Sequence, residues 1–285
     1  MLGVELNTTK IGDGILQVQN KANRVEELLM CVDDILKEGY NDSTTLPSTL
    51  GKFQFAEAQL WGRGGRIAFT DLRECTMHRE QRVRVDEAVK KALEVLKDKI
   101  SSGKPRTISI SDTCRPHLVF TDGSLEYNEH GDAIAQIGGV LITSGGEKRV
   151  FGTSVPSSYL EHWQSEGKTH VIGLVELYAF VVSLFSWRDV LAGQRVIIFT
   201  DSWPVYDVVV KGSSHERMWR ELLVCLERFD EEHLMLLWVC RVPSSSNPAD
   251  PPSRKDVSEI AFLRPFSIVD AICPFSQETI PSYDM

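Results

Sequence analysis

The stretch that decides the fold is residues 118–124, LVFTDGS, in which a short β-strand pattern ends in an acid, a glycine and a serine. The pattern returns at residues 196–202, VIIFTDS, where a β-branched run again ends in Thr-Asp. In an open α/β sheet, the carboxyl ends of neighbouring strands meet at the edge where ligands bind. We therefore expect Asp122 and Asp201 to share one crevice, although a single strand-end acid is more commonly a turn or helix cap.

Strand and helix patterns alternate on both sides of these two stretches. Three strands joined by hairpins are expected at 118–121, 133–143 and 149–155, because clusters of Gly, Asn and Asp separate them. Further along the chain we expect an apolar helix at 172–191, a strand at 196–200, helices at 204–210 and 216–229, and a strand at 234–242. This order predicts an α/β domain at residues 112–260, with a mixed five-stranded sheet flanked by helices.

The chain before this domain, residues 1–111, is predicted to be mostly helical. Apolar residues at helical spacing predict helices at 21–40 and 83–100, with a loop at 41–51. A Ser-, Thr-, Gly- and Pro-rich linker is expected at 101–117. At the other end of the chain, residues 261–285 are predicted to form a loosely held tail.

One acidic pair in the first helix, Asp33-Asp34, follows an apolar residue, as the metal ligands of a reverse transcriptase palm do. Such ligands need a strand-turn-strand setting, whereas this pair lies within a helical period. We therefore expect both side chains to face solvent.

Charge is unevenly distributed between the two parts of the chain. Residues 1–110 hold 17 basic and 16 acidic residues, whereas residues 111–285 hold 14 and 24. Surplus acid disfavours a simple phosphate-binding module, because carboxylates repel a polyanion unless divalent cations lie between them. The acidic part therefore suits a nucleic-acid partner only if it also holds metal ions.

Cysteine usage and hydropathy indicate the cellular setting. The six cysteines contain no CxxC pair, which favours reduced thiols, an intracellular protein of the cytoplasm or nucleus, and no structural zinc. The longest nearly uncharged stretch, 171–187, is interrupted by Glu176, so we predict no membrane span.

Two further acids stand out. Glu176 lies inside VIGLVELYAF at 171–180, and a buried ionised carboxylate is costly without a partner or a metal. The alternative is that it lies on the one solvated stripe of its helix. Asp250 lies in VPSSSNPADPPSR at 242–254, just after a predicted strand, and alone it would be interpreted as a helix cap before Pro251.

Together the four acids have a coherent chemical use. Two divalent ions held about 4 Å apart by carboxylates can promote phosphodiester cleavage. Ligand sets made only of oxygen select Mg²⁺ or Mn²⁺ over zinc. Such ions would also neutralise the acidic crevice in which a phosphate has to lie.

The order of these motifs resembles the type 1 ribonuclease H domain, over about residues 115–256. The segment 238–254, with RVPSSSNPADPPSR, resembles in particular the ribonucleases H of retroelement polyproteins of the tyrosine-recombinase (DIRS-like) group. The resemblance implies hydrolysis of RNA in RNA–DNA hybrids. The catalytic residues and ligands of two Mg²⁺ or Mn²⁺ ions would be Asp122, Glu176, Asp201 and Asp250.

Residues 20–105 resemble more weakly the segment that links a reverse transcriptase thumb to its ribonuclease H. This second resemblance implies that the polymerase part of a parent polyprotein is a partner. Polymerase fingers and palm are not found, so we do not expect the chain to synthesise DNA by itself.

The sequence also departs from the family pattern. Many ribonucleases H carry a mobile His before the last Asp, whereas residues 243–246 here offer only serines, which predicts slow turnover. Substrate contacts are expected from Ser124, Asn247, Lys211 and Ser213, although each could equally be a cap or turn residue.

Two rival functions stay open at this point. One is a catalytically inactive retroelement remnant or a domesticated nucleic-acid-binding module, which the missing His favours and the four intact acids oppose. The other is a transposase-like DNA nuclease. The Glu in the first long helix favours ribonuclease H, because integrase-like sites usually take their Glu from a late helix.

Overall fold

The computed structural model describes residues 3–42, 45–58, 65–77, 82–109, 115–165, 171–256 and 258–274. The chain divides into two compact units, residues 1–113 and 114–284. The predicted domain boundary after residue 111 lies outside the described residues. Within the described ranges, no helix is both long enough and apolar enough to cross a bilayer.

The described residues of the first unit form four helices and two small antiparallel sheets. Its elements, in chain order, are β1 (Val4–Asn7), β2 (Ile15–Asn20), α1 (Ala22–Glu38), β3 (Tyr40–Asp42), α2 (Thr45–Ala58), α3 (Arg66–Met77), β4 (Arg82–Arg84), α4 (Glu87–Ser102) and β5 (Arg106–Ser109), with a 3₁₀ turn at Ile11–Asp13. One sheet has the order β1-β2-β5, and the other joins β3 to β4. The prediction of a mostly helical first part is confirmed.

The core of this unit is formed by the apolar faces of its helices. Leu28 and Val32 of α1 are buried with Leu72 of α3 and Leu93 of α4. The acidic pair that follows Val32 points away from this core and is exposed, as expected. The expectation of a loop at 41–51 is wrong, because α2 begins at Thr45. Its Pro47 lies in the first helical turn, where a missing N–H is tolerated.

The second unit is an α/β domain. Its elements, in chain order, are β6 (His117–Tyr127), β7 (Ala133–Ile142), β8 (Lys148–Ser154), α5 (Ser157–Gln164), α6 (Ile172–Ser186), α7 (Arg188–Leu191), β9 (Arg195–Thr200), α8 (Trp203–Lys211), α9 (Arg217–His233), β10 (Leu236–Arg241), α10 (Asp250–Ser253) and β11 (Ser267–Ile268), with 3₁₀ turns at Ser244–Ser246 and Ala261–Leu263.

The strand order of this sheet is β10-β9-β6-β7-β8-β11. Strands β6, β7 and β8 form an antiparallel meander, while β9 pairs in parallel with β6 and β10 pairs in parallel with β9. Three hairpin-joined strands followed by two helix-connected parallel strands form a mixed sheet, which helices flank as the sequence predicts. The predicted fold class is confirmed.

The sheet has six strands, however, rather than the predicted five. The sixth, β11, comes from the segment predicted to be a loose tail, and it pairs in parallel with β8. Val269 extends this pairing by donating its N–H to Val150 O at 2.9 Å. A two-residue strand is too short to show a period of two in the sequence, so no pattern announces it.

Helix α6 is apolar on nearly all sides, because it lies between the sheet and α9. The short helix α10 contacts β6, β7 and β8. A small core of Val140, Val150, Ala249, Ile260 and Leu263 lies beneath it. Both helices thus bring their acids to the sheet.

Candidate active site

Asp122 and Asp201 occupy equivalent positions on neighbouring parallel strands. The last Cα pair between β6 and β9 joins Phe120 to Phe199, and each aspartate lies two residues beyond it. The sequence predicted that the strand ends before Asp122, and this is wrong, because the hairpin strand β6 continues to Tyr127. Asp122 lies instead where parallel pairing with β9 stops, and this places the two aspartates in register at one edge of that pairing.

Asp122 is buried, with 7% of its surface exposed. Its Oδ2 accepts a hydrogen bond from Ser253 Oγ at 2.5 Å. Burial raises the pKa of Asp122 to about 6, the Ser253 hydrogen bond opposes the rise, and the charges of Asp201 and Asp250 add to it. Burial therefore makes this carboxylate bind a proton, or a cation in its place, more readily than an exposed aspartate does.

Glu176 reaches the same region from α6, which lies directly on β6. A Cβ added at Gly123 would lie 2.9 Å from Glu176 N, so only glycine lets the helix come this close. Burial raises the pKa of Glu176 to about 7, a hydrogen bond with the Ser202 side chain opposes the rise, and Asp201 and Asp122 add to it. Glu176 is thus a half-buried acid beside other acids, rather than a fully solvated side chain.

Asp201 has two oxygens in different situations. Oδ2 accepts from Ser244 Oγ at 2.5 Å. Oδ1 is buried and has no hydrogen-bond partner among the described residues. Such an oxygen loses its hydration without compensation, and a bound cation would supply the missing partner.

Asp250 is the first residue of α10, and its Oδ1 lies 3.2 Å from Arg254 Nη2. The helix is able to lie against the sheet because two glycines face it. A Cβ at Gly138 would lie 2.3 Å from Ser253 N, and one at Gly152 would lie 2.3 Å from Pro252 O. These two glycines are paired across β7 and β8, and they set Asp250 and Ser253 beside Asp122.

The four carboxylates offer the donor chemistry of a Mg²⁺ or Mn²⁺ site, since all the ligand atoms are oxygens. In the described part of the chain, however, no three acidic, His or Cys side chains are placed as one metal site. Each carboxylate is held by its own donor: Ser253 for Asp122, Ser202 for Glu176, Ser244 for Asp201 and Arg254 for Asp250. Ion binding would replace some of these hydrogen bonds with metal–oxygen contacts. Asp201 Oδ1, which has no partner among the described residues, could bind a cation without losing a hydrogen bond.

Of the four predicted substrate contacts, two lie beside the carboxylates and serve the scaffold. Ser124 Oγ donates to Ser253 O at 2.7 Å. Asn247 is buried, donates to Thr121 O at 3.0 Å, and accepts from Ala249 N at 3.2 Å. Both side chains hold α10 and its preceding loop on β6.

The other two predicted contacts, Lys211 and Ser213, lie away from the carboxylates. Lys211 ends α8 and pairs with Asp207 at 2.6 Å, whereas Asp201 lies just before the start of that helix. At a rise of about 1.5 Å per residue, the two ends are roughly 12 Å apart. The structure does not bring these residues to the four acids.

No protein-family model matches the sequence, and no curated protein matches it. Solved structures align with about half of the chain, at low sequence identity. LC11-RNase H1, solved in complex with an RNA/DNA hybrid, is 16% identical, with a TM-score of 0.38 over 50% of this chain and 98% of its own. The N-terminal RNase H domain of Rv2228c from Mycobacterium tuberculosis is 14% identical, with a TM-score of 0.35 over 52% of this chain and 96% of its own.

A viral protein is similar at the same level. The prototype foamy virus protease-reverse transcriptase is 14% identical, with a TM-score of 0.37, and the match covers 52% of this chain and 22% of the viral chain. A shared fold does not imply a shared activity. Any argument for a function therefore has to come from the chemistry of the side chains themselves.

Proposed function

We propose that the second unit hydrolyses the RNA strand of RNA–DNA hybrids, with two Mg²⁺ or Mn²⁺ ions held by Asp122, Glu176, Asp201 and Asp250. The proposal rests on one observation above all. Carboxylates from β6, α6, the end of β9 and α10 act on one another in one region, where Asp122 is buried and the other three are half-buried, and Asp201 Oδ1 has no partner among the described residues. A purely structural set of acids would be paired with bases or exposed to water.

In this proposal each acid has its own role. Asp122 and Asp201 would flank the ions from neighbouring strands, Glu176 would hold the second ion near the RNA 2′-hydroxyl, and Asp250 would complete the site. Two such ions supply Lewis-acid stabilisation of the charge on the phosphodiester oxygens. Selectivity for a hybrid would come from the 2′-hydroxyls of one strand and the shape of the other.

The raised pKa values of two of the acids affect how metal binding would depend on pH. Asp122 and Glu176 have pKa values of about 6 and about 7, so both are partly protonated near neutral pH. Because metal ligands have to be ionised, cation binding releases these protons. Activity should therefore rise as the pH increases through this range.

We further propose that the chain derives from a retroelement polyprotein whose polymerase part is its partner. This part of the proposal is supported by the sequence of residues 238–254 and, more weakly, by that of residues 20–105.

The experiment that tests the function is cleavage of an end-labelled RNA–DNA hybrid by the full chain with Mg²⁺ or Mn²⁺. Single-stranded RNA and duplex DNA serve as competing substrates. The Asp122→Asn, Asp201→Asn double variant should lose cleavage by about a thousandfold or more, because several kcal/mol of transition-state stabilisation would go with the ions. The Asp33→Asn, Asp34→Asn variant removes the same charge from an exposed helix face and should cleave normally.

Two other results would favour the alternative functions. A folded chain that binds the hybrid but does not cut it with either ion would contradict the proposal and favour the inactive, binding-only alternative. Equal cutting of duplex DNA would favour the DNA nuclease.

A further inference from the structure

An exposed tryptophan lies beside the candidate site. Trp203 is the first residue of α8, two residues after Asp201, and 63% of its surface is exposed. The guanidinium carbon of Arg241 lies 4.1 Å from the centroid of its ring. The ring of Tyr206 meets it edge-on, at 5.9 Å and 87°. One face of the indole is thus covered by a cation, and much of the rest of the side chain is open.

Arg241 ties this stack to the carboxylates. Its Nη2 donates to Asp201 O at 2.7 Å, so the guanidinium is fixed at the end of β9. Arg241 forms no ion pair with a carboxylate in the part of the chain that the structure describes. An exposed arginine without an acidic partner is notable in residues 111–285, where acids outnumber bases by 24 to 14.

An open aromatic face beside a fixed cation is suited to nucleotides. Bases stack on exposed aromatic rings whatever their sequence, and guanidinium groups bind phosphate through directed hydrogen bonds. Bases inside a duplex already stack on one another, so an unpaired or terminal base is the one available to the indole. The position next to Asp201 places such a base at the border of the carboxylate region.

We infer that Trp203 and Arg241 form a platform for an unpaired nucleotide that adjoins the hybrid, with the base stacked on the indole and its phosphate paired with the guanidinium. The inference rests on the proposed function in one respect, namely that the paired part of the ligand is the hybrid. It predicts that the protein prefers a hybrid with a single-stranded extension over a blunt one.

Binding rather than cleavage provides the test. The full chain carrying Asp122→Asn is titrated into end-labelled hybrids, one blunt and one with an unpaired extension, and fluorescence anisotropy is measured in Mg²⁺. Adding Trp203→Ala should weaken binding of the extended hybrid roughly tenfold, the equivalent of stacking one base, and should change binding of the blunt one much less. Trp203→Phe keeps an aromatic face and should retain most of the affinity.

Trp238 provides a matched control. It is 69% exposed on β10, and it lies three residues from Arg241, so the two side chains leave opposite faces of the strand. Trp238→Ala should bind both hybrids like the parent. In a separate arm, Arg241→Gln should lower the slope of log affinity against log salt by about one, as expected when one phosphate contact is lost.

The outcomes separate the platform from the proposed function. If Trp203→Ala binds the extended hybrid as tightly as its parent, or loses affinity equally for both hybrids, the platform is disproved. A wild-type chain that never cleaves would disprove the nuclease but leave this binding difference measurable. A chain that cleaves hybrids without preferring the extended one would disprove the platform alone.

Discussion

Two pairs of aspartates lie in contrasting environments, Asp33 and Asp34 in the first unit and Asp122 and Asp201 in the second. Asp33 on α1 is 54% exposed at its side chain and pairs with Lys97 at 2.5 Å. Asp122 is 7% exposed, and burial beside other acids raises its pKa to about 6. Asp33 and Asp34 are adjacent in sequence, whereas Asp122 and Asp201 meet only through the pairing of β6 with β9. The raised pKa of Asp122 therefore results from the pairing of two distant strands, and not from closeness in sequence.

The largest expected effect comes from the glycines that admit α10. Gly138→Ala would put a Cβ 2.3 Å from Ser253 N, and we expect it to reduce the free energy of unfolding by about 3 kcal/mol in urea denaturation. Gly51 in α2 has nothing within 4 Å of an added Cβ, so Gly51→Ala should stabilise the protein by about 1 kcal/mol. Equal changes in the free energy of unfolding at the two glycines would show that the contact between α10 and the sheet is not closely packed.

The next effect is a pH dependence of stability. The pKa of Glu176 rises from 4.5 to about 7 on folding. A raised acid pKa contributes stability that is present below about pH 4 and is lost as the pH rises through 7. Without metal ions, Glu176→Gln should therefore be more stable than the parent by about 2 kcal/mol near pH 8, and similar to it near pH 4.

Thermal unfolding across pH measures this difference, and adding Mg²⁺ at high pH should restore the parent because cations bind the ionised form. Asp33→Asn, at the exposed site, removes the same charge and serves as the control. A Glu176→Gln variant that is less stable than the parent at high pH would show that the ionised carboxylate is already compensated within the protein.

A smaller effect is expected at the serines that hold the carboxylates. Ser253 donates to Asp122 Oδ2, and this hydrogen bond opposes the rise in the pKa of Asp122. Ser253→Ala should therefore raise that pKa further and weaken Mn²⁺ binding about tenfold in calorimetric titration. Ser102→Ala removes a hydroxyl that donates to Asp98 O in α4, and it should leave Mn²⁺ binding unchanged. Unchanged affinity in Ser253→Ala would remove this serine from the site.

The smallest effect is predicted for the exposed pair. A double-mutant cycle on Asp33→Asn and Lys97→Met should give a coupling free energy below about 0.5 kcal/mol, because exposed ion pairs are screened by water and salt. Urea denaturation of the four proteins provides the measurement. A coupling free energy well above 1 kcal/mol would show that the Asp33–Lys97 pair is not weakened by exposure to solvent, contrary to this expectation.

The carboxylates could be predicted because each leaves a signal along the chain: Asp122 and Asp201 follow apolar runs, and Glu176 interrupts one. Their donors could not. Residues 244–246 are identifiable as serines in place of a histidine, but the carboxylate that Ser244 meets depends on how the loop after β10 returns to β9. The signal that could have located α10 is the pair of glycines at 138 and 152 within strands, since glycine in a strand marks a close backbone approach.

The fold was predicted where periodicity is long and was missed where it is short. The strands β6 to β10 have six or more residues each and α6 has fifteen, so their β-branched or apolar runs are visible in the sequence. In contrast, α2 begins in a polar stretch with a proline that is typical of a loop. The small sheets of the first unit consist of strands of three to six residues, which depend on tertiary pairing rather than on local preference.

The two-residue strand β11 has a consequence for solubility. It covers the outer side of β8, which carries the buried Val150 and Phe151. A sheet edge with unpaired N–H and C=O groups is a template for pairing with another molecule. A chain shortened before Ser267 would expose that edge, and its sheets would be prone to join edge to edge into aggregates.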